Sequence, residues 1–188
     1  MGDDPTPAAS AADAGTDGSA SAGVCDRYCT SVIKSCGVIL RQYRDDKECH
    51  EACALMTPGS EGDKNVDTVQ CRIAQAAIAT NKDQCVAAGP FGGGLCGARC
   101  DAFCNLVQGN CASQGANAPY ASKADCTEAC LKFRFEPTAG EGPDPVLEED
   151  TLNCREFHFM LSLNDKVNHC PHTGVVSAVC KVRDAGTD

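Results

Sequence analysis

Between residues 25 and 36 the apolar positions fall at Cys25, Cys29, Val32, Ile33 and Cys36. These are the i, i+4, i+7, i+8 and i+11 positions of one stripe on an α-helix. Cys100, Cys104, Val107 and Cys111 repeat most of the stripe. A second helix is predicted after Asp45, with Glu48 three residues on, and again after Ser122, with Asp125 three residues on. In both places a side-chain cap is followed by its reciprocal partner. A third helix runs from near Asp67 through Ile73 to about Ala79, and its counterpart from near Asp150 to about Leu163. Gly89-Pro90-Phe91-Gly92-Gly93-Gly94 reads as a loop.

The cysteines show that this pattern occurs twice. Cys25, Cys29, Cys36, Cys49, Cys53, Cys71, Cys85 and Cys96 recur in the same order as Cys100, Cys104, Cys111, Cys126, Cys130, Cys154, Cys170 and Cys180. Their flanks agree as well. Cys25-Asp26-Arg27-Tyr28-Cys29 matches Cys100-Asp101-Ala102-Phe103-Cys104, and Asp67-Thr68-Val69-Gln70-Cys71-Arg72 matches Asp150-Thr151-Leu152-Asn153-Cys154-Arg155. Repetition at a long period is the mark of stacked or duplicated units. The fold class expected is all-α and disulfide-rich, with two tandem homologous units of about three helices each. The units cover 25–97 and 98–183, between a disordered acidic tether at 1–24 and a tether-like tail at 184–188.

Sixteen cysteines in 188 residues, with no C-x-x-C spacing among them, point to disulfides made in an oxidising compartment rather than to a zinc ribbon, an iron–sulfur site or a thioredoxin-like motif. Two C-x-x-x-C pairs on consecutive antiparallel helices can be stapled twice, outer to outer and inner to inner, because residues i and i+4 share a face. The expected bridges are therefore Cys25–Cys53 with Cys29–Cys49, and Cys100–Cys130 with Cys104–Cys126. Cys36 shares its stripe and is expected to reach the third helix at Cys71, as Cys111 is expected to reach Cys154. Cys85–Cys96 and Cys170–Cys180 then close the terminal loops.

Charge and composition narrow the class of partner. A net charge of −10 repels phosphates, so nucleic acid is not expected as a partner. No run of about 18 apolar residues occurs, so no transmembrane segment is expected. Residues 2–24 contain only Gly, Asp, Pro, Thr, Ala, Ser and one Val, a composition unable to bury a core. The start, Met1-Gly2-Asp3-Asp4-Pro5, has neither the basic nor the apolar region of an export signal. Export and lipidation signals are thus expected to have been removed ahead of it, with any membrane attachment made only through that removed lipid anchor.

Three places carry candidate chemistry. His158, His169 and His172 lie close in sequence, and imidazole is the commonest metal ligand. The matching positions of the first unit hold Gln75, Gln84 and Ala87, so the scaffold does not require histidine there. A metal ion or haem at these histidines is the alternative to no cofactor at all. The segment from Glu136 to Asp150 holds six carboxylates but lacks the spaced Asp/Asn-and-Gly pattern of an EF-hand, and reads as a solvated insertion. The loop Gly89, Pro90, Phe91, Gly92, expected inside a disulfide, is a candidate binding loop of the kind constrained secreted scaffolds present. Asp67 with Arg72, and Asp150 with Arg155, recur ahead of the same cysteine in both units and read as helix cap and structural partner. No hydrolase, zinc-protease or phosphate-loop motif is present, so no catalytic residue is expected.

Cys-Asp-x-Tyr-Cys, a tyrosine before a capped Cys-x-x-x-Cys, Cys-Arg, and His169-Cys170-Pro171-His172 followed by Gly174 resemble cysteine-rich secreted, lipoprotein-like proteins of myxobacteria and related bacteria. The similarity covers residues 25–180, and the acidic tether fits it. It implies compartment and architecture and carries no activity. The function expected is a non-enzymatic, extracytoplasmic binding or structural module of the bacterial cell envelope, with a protein partner in the envelope or extracellular space. The alternatives are a metal- or haem-linked redox component using the three histidines, and a secreted inhibitor or accessory domain using the glycine-rich loop.

Overall fold

The computed structural model describes residues 17–137, 143–144 and 149–181. Among these residues the chain is all-helical. The first half holds α1 (Asp17–Cys36), α2 (Asp46–Cys53), α3 (Val69–Ile78) and α4 (Lys82–Ala88). The second holds α5 (Arg99–Cys111), α6 (Lys123–Cys130), α7 (Leu152–Ser162) and α8 (Lys166–His169). Short 3₁₀ turns occupy Gly92–Gly94, Ala112–Asn117 and Cys170–Thr173.

Each short helix starts where a side chain satisfies a free backbone N–H. Asp45 accepts from the Glu48 amide, Thr68 from Cys71, Asn81 from Gln84, Ser122 from Asp125, Thr151 from Cys154 and Asp165 from Asn168. Such caps stabilise a helix by about 1 kcal/mol each, which matters for helices of 4 to 11 residues. At α3 and α7 the cap is the threonine. The aspartate before it, Asp67 or Asp150, instead pairs with the arginine in the first turn at 2.7 Å.

Helix α1 begins earlier than composition suggests. Residues 17–24 belong to it rather than to a tether, and Val24 is buried at its inner end. No proline interrupts residues 17–25, and alanine at 20 and 22 offsets the glycines at 18 and 23. Residues 1–16 and 182–188 lie outside the described residues, as does most of the acidic segment. Ile33 is largely exposed, and Tyr28 fills the stripe with Val24, Cys25, Cys29, Val32 and Cys36.

All sixteen cysteines are in bridges. The double staples form as expected: Cys25–Cys53 and Cys29–Cys49, then Cys100–Cys130 and Cys104–Cys126. The other four pairings differ. Cys36 bonds Cys85 and Cys71 bonds Cys96, with Cys111–Cys170 and Cys154–Cys180 repeating that arrangement. The cause is the fourth helix of each half. Cys85 is buried on α4, which packs against both α1 and α3, and Cys170 follows the last residue of α8. Each therefore meets the end of the long helix stripe, leaving Cys71 and Cys154 to hold the closing segment. Bridges on this scale belong to an oxidising compartment. No described helix is long and apolar enough to cross a membrane.

One buried cluster runs through both halves. Phe91 from the first packs against Phe103 and Phe159 of the second, with ring centres 6.3 and 5.9 Å apart. Polar contacts reinforce this seam. Arg44 donates to the Met160 carbonyl at 3.0 Å, and Asn105 to Asp67 at 2.6 Å.

Candidate functional site

Two buried arginines organise the closing segments. Arg72 is fully buried and bonds through all three guanidinium nitrogens: Nε to the Gly89 carbonyl at 3.0 Å, Nη1 to Thr68 at 3.1 Å, and Nη2 to Pro90 at 2.8 Å and Asp67 at 2.7 Å. Arg155 does the same with Gly174 at 3.1 Å, Thr151 at 2.9 Å and Asp150 at 2.7 Å, and lies over the Phe133 ring. A buried guanidinium is tolerable only when its donors are met. Here the acceptors are backbone carbonyls and one aspartate in each half, the Thr68 and Gly89 carbonyls also receiving the Arg72 and Gly92 amides. Both guanidinium groups are turned onto acceptors of the protein itself, as in a structural cross-link.

That arrangement removes the glycine loop as a contact surface. Gly89, Pro90, Phe91 and Gly92 are all buried. The first two offer their carbonyls to Arg72, and Phe91 fills the seam between the halves. Gly92 has φ +67°, and a Cβ there would stand 3.3 Å from the guanidinium, so the residue is a turn fitted around the arginine. The segment lies within Cys71–Cys96, and the exposed positions of its tip are Gly94 and Leu95.

The histidines come together. His158 projects from α7, His169 ends α8, and His172 sits in the following 3₁₀ turn. Ring centres are 5.3 Å apart for His158–His169, 4.9 Å for His158–His172 and 6.2 Å for His169–His172. Nδ1 of His158 lies 3.1 Å from Nδ1 of His169, so one ring donates to the other. Nδ1 of His172 is buried with no hydrogen-bond partner among the described residues. His158 is 8% exposed. Burial, then the neighbouring His172 and His169, push its pKa down to about 4. Burial and His169 also lower that of His172. Charge is unwelcome in this cluster, and neutral imidazoles are the ligand-competent form.

The bridge Cys154–Cys180 adjoins His158, with both sulfurs and one ring nitrogen within 4.8 Å of one another. The sulfurs are bonded to each other and offer no thiolate, so this grouping is not a metal centre in the oxidised protein. The fourth histidine, His50, lies on α2 and pairs with Asp26 at 3.0 Å and Asp46 at 3.4 Å. These contacts raise its pKa, the backbone carbonyl of Asp46 most of all.

In the acidic segment, Glu136 and Glu149 pair with Arg134, and Asp144 pairs with Arg41 at 2.5 Å. These described carboxylates face arginine rather than one another. Their partners lie outside the segment, which is why it shows no basic residue of its own.

A groove of about 390 Å³ is lined by Val32, Ile33, Tyr43 and the charged chains of Lys34, Arg41 and Arg44. It owes its form to the turn that carries the chain from α1 to α2. No motif in the sequence marks it. Comparison with protein families, curated proteins and solved structures returns no match for this chain.

Proposed function

We propose that the chain is a non-enzymatic, extracytoplasmic module of the bacterial cell envelope, held together by disulfides and working by binding a protein partner or as a structural component. The observation that carries this reading is that all sixteen cysteines are bridged, leaving no free thiol. A stapled, acidic, small-helix scaffold suits an environment where chaperones and ATP are absent and proteases are present. Bridges suppress the open states on which proteolysis depends. The buried arginines support a structural rather than a catalytic role, since their donors are spent on backbone carbonyls.

We also read the two halves as products of one duplication. The four bridges follow the same order in each, and Arg72 and Arg155 repeat the same contacts. The resemblance to secreted lipoprotein-like proteins adds the acidic tether and a lipid anchor ahead of it.

Directing the chain to the periplasm or to the cytosol of a bacterial host tests the compartment. Exported protein is expected to have a mass lower by sixteen hydrogens than its reduced form, and to resist protease until a reductant is added. A native preparation rich in free thiols, or a reduced cytosolic form equally resistant, would overturn the reading.

A further inference from the structure

We propose that His158, His169 and His172 form a three-imidazole site for one first-row divalent transition ion of the Cu²⁺ and Zn²⁺ class. Two of the three rings already stand at ligand spacing. An ion bound at about 2.0–2.1 Å by tetrahedrally disposed imidazoles holds their nitrogens roughly 3.3 Å apart and the ring centres roughly 5 Å apart. The observed nitrogens of His158 and His169 are 3.1 Å apart. The three ring separations of 4.9, 5.3 and 6.2 Å bracket the expected value. His158 and His169 already aim the same nitrogen, Nδ1, at a common point, and an ion placed there replaces the proton they share. His172 has a buried, unpartnered Nδ1, and its ring, centred 4.9 Å from that of His158 and 6.2 Å from that of His169, has to turn to complete the set.

The supports are rigid. His158 is fixed in the buried face of α7. Cys170 stands between His169 and His172 and is bonded to Cys111 of α5, so the turn bearing both histidines is covalently held. Preorganised ligands of this kind lose little entropy on closing around an ion.

Donor chemistry selects the class. Three imidazoles without thiolate or carboxylate suit borderline ions and disfavour Ca²⁺ and Mg²⁺, which take oxygen. Three protein ligands leave a fourth position open, and the partial exposure of His169 and His172 gives that position a way to solvent. Haem is the poorer occupant, because nitrogens 3.1 Å apart leave no room for a porphyrin between His158 and His169. The site needs the Cys111–Cys170 bridge and is independent of whether the chain works by binding a partner or as a structural component.

The test uses the full, oxidised, untagged chain. Zn²⁺ and Cu²⁺ are titrated separately against a chromophoric competing chelator, and Co²⁺ is followed by its visible absorption. One ion per chain is expected for Zn²⁺ and for Cu²⁺, with Cu²⁺ the tighter. His169→Gln and His172→Ala install the residues found at the corresponding positions of the first half, Gln84 and Ala87, and each is expected to weaken binding at least tenfold. His50→Gln is expected to leave it unchanged. In the unmutated protein, ¹⁵N spectra should show Zn²⁺ shifting Nδ1 of His158 and of His169 together. That readout does not depend on how well a variant folds. Absence of stoichiometric binding would overturn the proposal. So would affinity unaltered by both His169→Gln and His172→Ala, affinity lost in His50→Gln, or Nδ1 resonances that ignore Zn²⁺.

Discussion

Replacing Arg72 with methionine probes the device on which the first half closes. The substitution keeps an unbranched apolar stem and removes the guanidinium, taking one donor from each of the carbonyls of Thr68, Gly89 and Pro90 and the charged partner from Asp67. A buried polar group left without its partner costs about 1–3 kcal/mol, and removing one member of a buried ion pair costs about 3–5 kcal/mol. Some carbonyls will recover a water once the loop loosens, so a loss of roughly 3–5 kcal/mol is expected. With a urea slope of about 1–3 kcal/mol per molar, the midpoint should fall by roughly 2 M. Far-UV circular dichroism on the oxidised protein is the assay. Arg72→Lys should recover little, because an ammonium cannot spread over four acceptors held by a planar fork. The two aspartates supply an internal comparison. Asp67 has a side chain 18% exposed and also accepts from Asn105, whereas Asp150 is 46% exposed. Asp67→Asn should therefore cost more than Asp150→Asn, whose solvent-screened pair is worth about 1 kcal/mol or less. A loss below about 1 kcal/mol for Arg72→Met would refute the view that this guanidinium holds the segment in place.

Other outcomes follow from the same geometry. Tyr28 and Tyr120 have pKa values raised to about 12, chiefly by burial, and Tyr43 is pushed well above its usual value for the same reason. With no tryptophan to obscure the signal, the folded protein should show no tyrosinate absorbance up to about pH 11, while the unfolded chain titrates near pH 10. Stability should accordingly fall as pH rises above about 10, since only the unfolded state then sheds protons. In acid the metal-free protein should weaken as pH falls from about 6.5 to 4, because unfolded chains protonate His158 and folded ones do not. Urea melts across that range should lose about 3 kcal/mol, and His158→Gln should remove most of the dependence, His172 retaining a smaller share in the same direction. Non-reducing peptide maps should link Cys36 to Cys85 and Cys111 to Cys170. Replacing both members of Cys36–Cys85 by alanine should cost about 4 kcal/mol on loop-closure entropy, if native packing survives.

Most of the frame was readable from the chain, and the mispaired cysteines share a cause. The cysteine stripe of α1 and the capped C-x-x-x-C helices are local patterns, and they give the double staples correctly. The remaining pairings required α4 and α8. These helices span 7 and 4 residues, too short for an apolar period to emerge. Their signals were the caps, Asn81 before Gln84 and Asp165 before Asn168. Without them Cys85 and Cys170 read as loop residues and paired with the wrong neighbours. The glycine loop misled for a different reason. Glycine and proline mark irregular backbone, but here Arg72 donates to the carbonyls of Gly89 and Pro90 and the seam covers Phe91. The histidines were legible as residue types, and their convergence was not, since it depends on the Cys111–Cys170 bridge turning α8 back over α7.

The bridging pattern also limits how far the molecule can stretch. No disulfide crosses from one half to the other. Pulled from its ends, the first half can lengthen only along the shortest covalent route, from Cys25 across to Cys53, along the backbone to Cys71, and across to Cys96. At about 3.5 Å per residue that leash is roughly 75 Å, against roughly 250 Å for the same stretch unbridged. Under load the halves would first part at their seam, and each would then extend as a short link, joined to the other only by the backbone between Cys96 and Cys100. Releasing the load would leave every link already threaded for refolding.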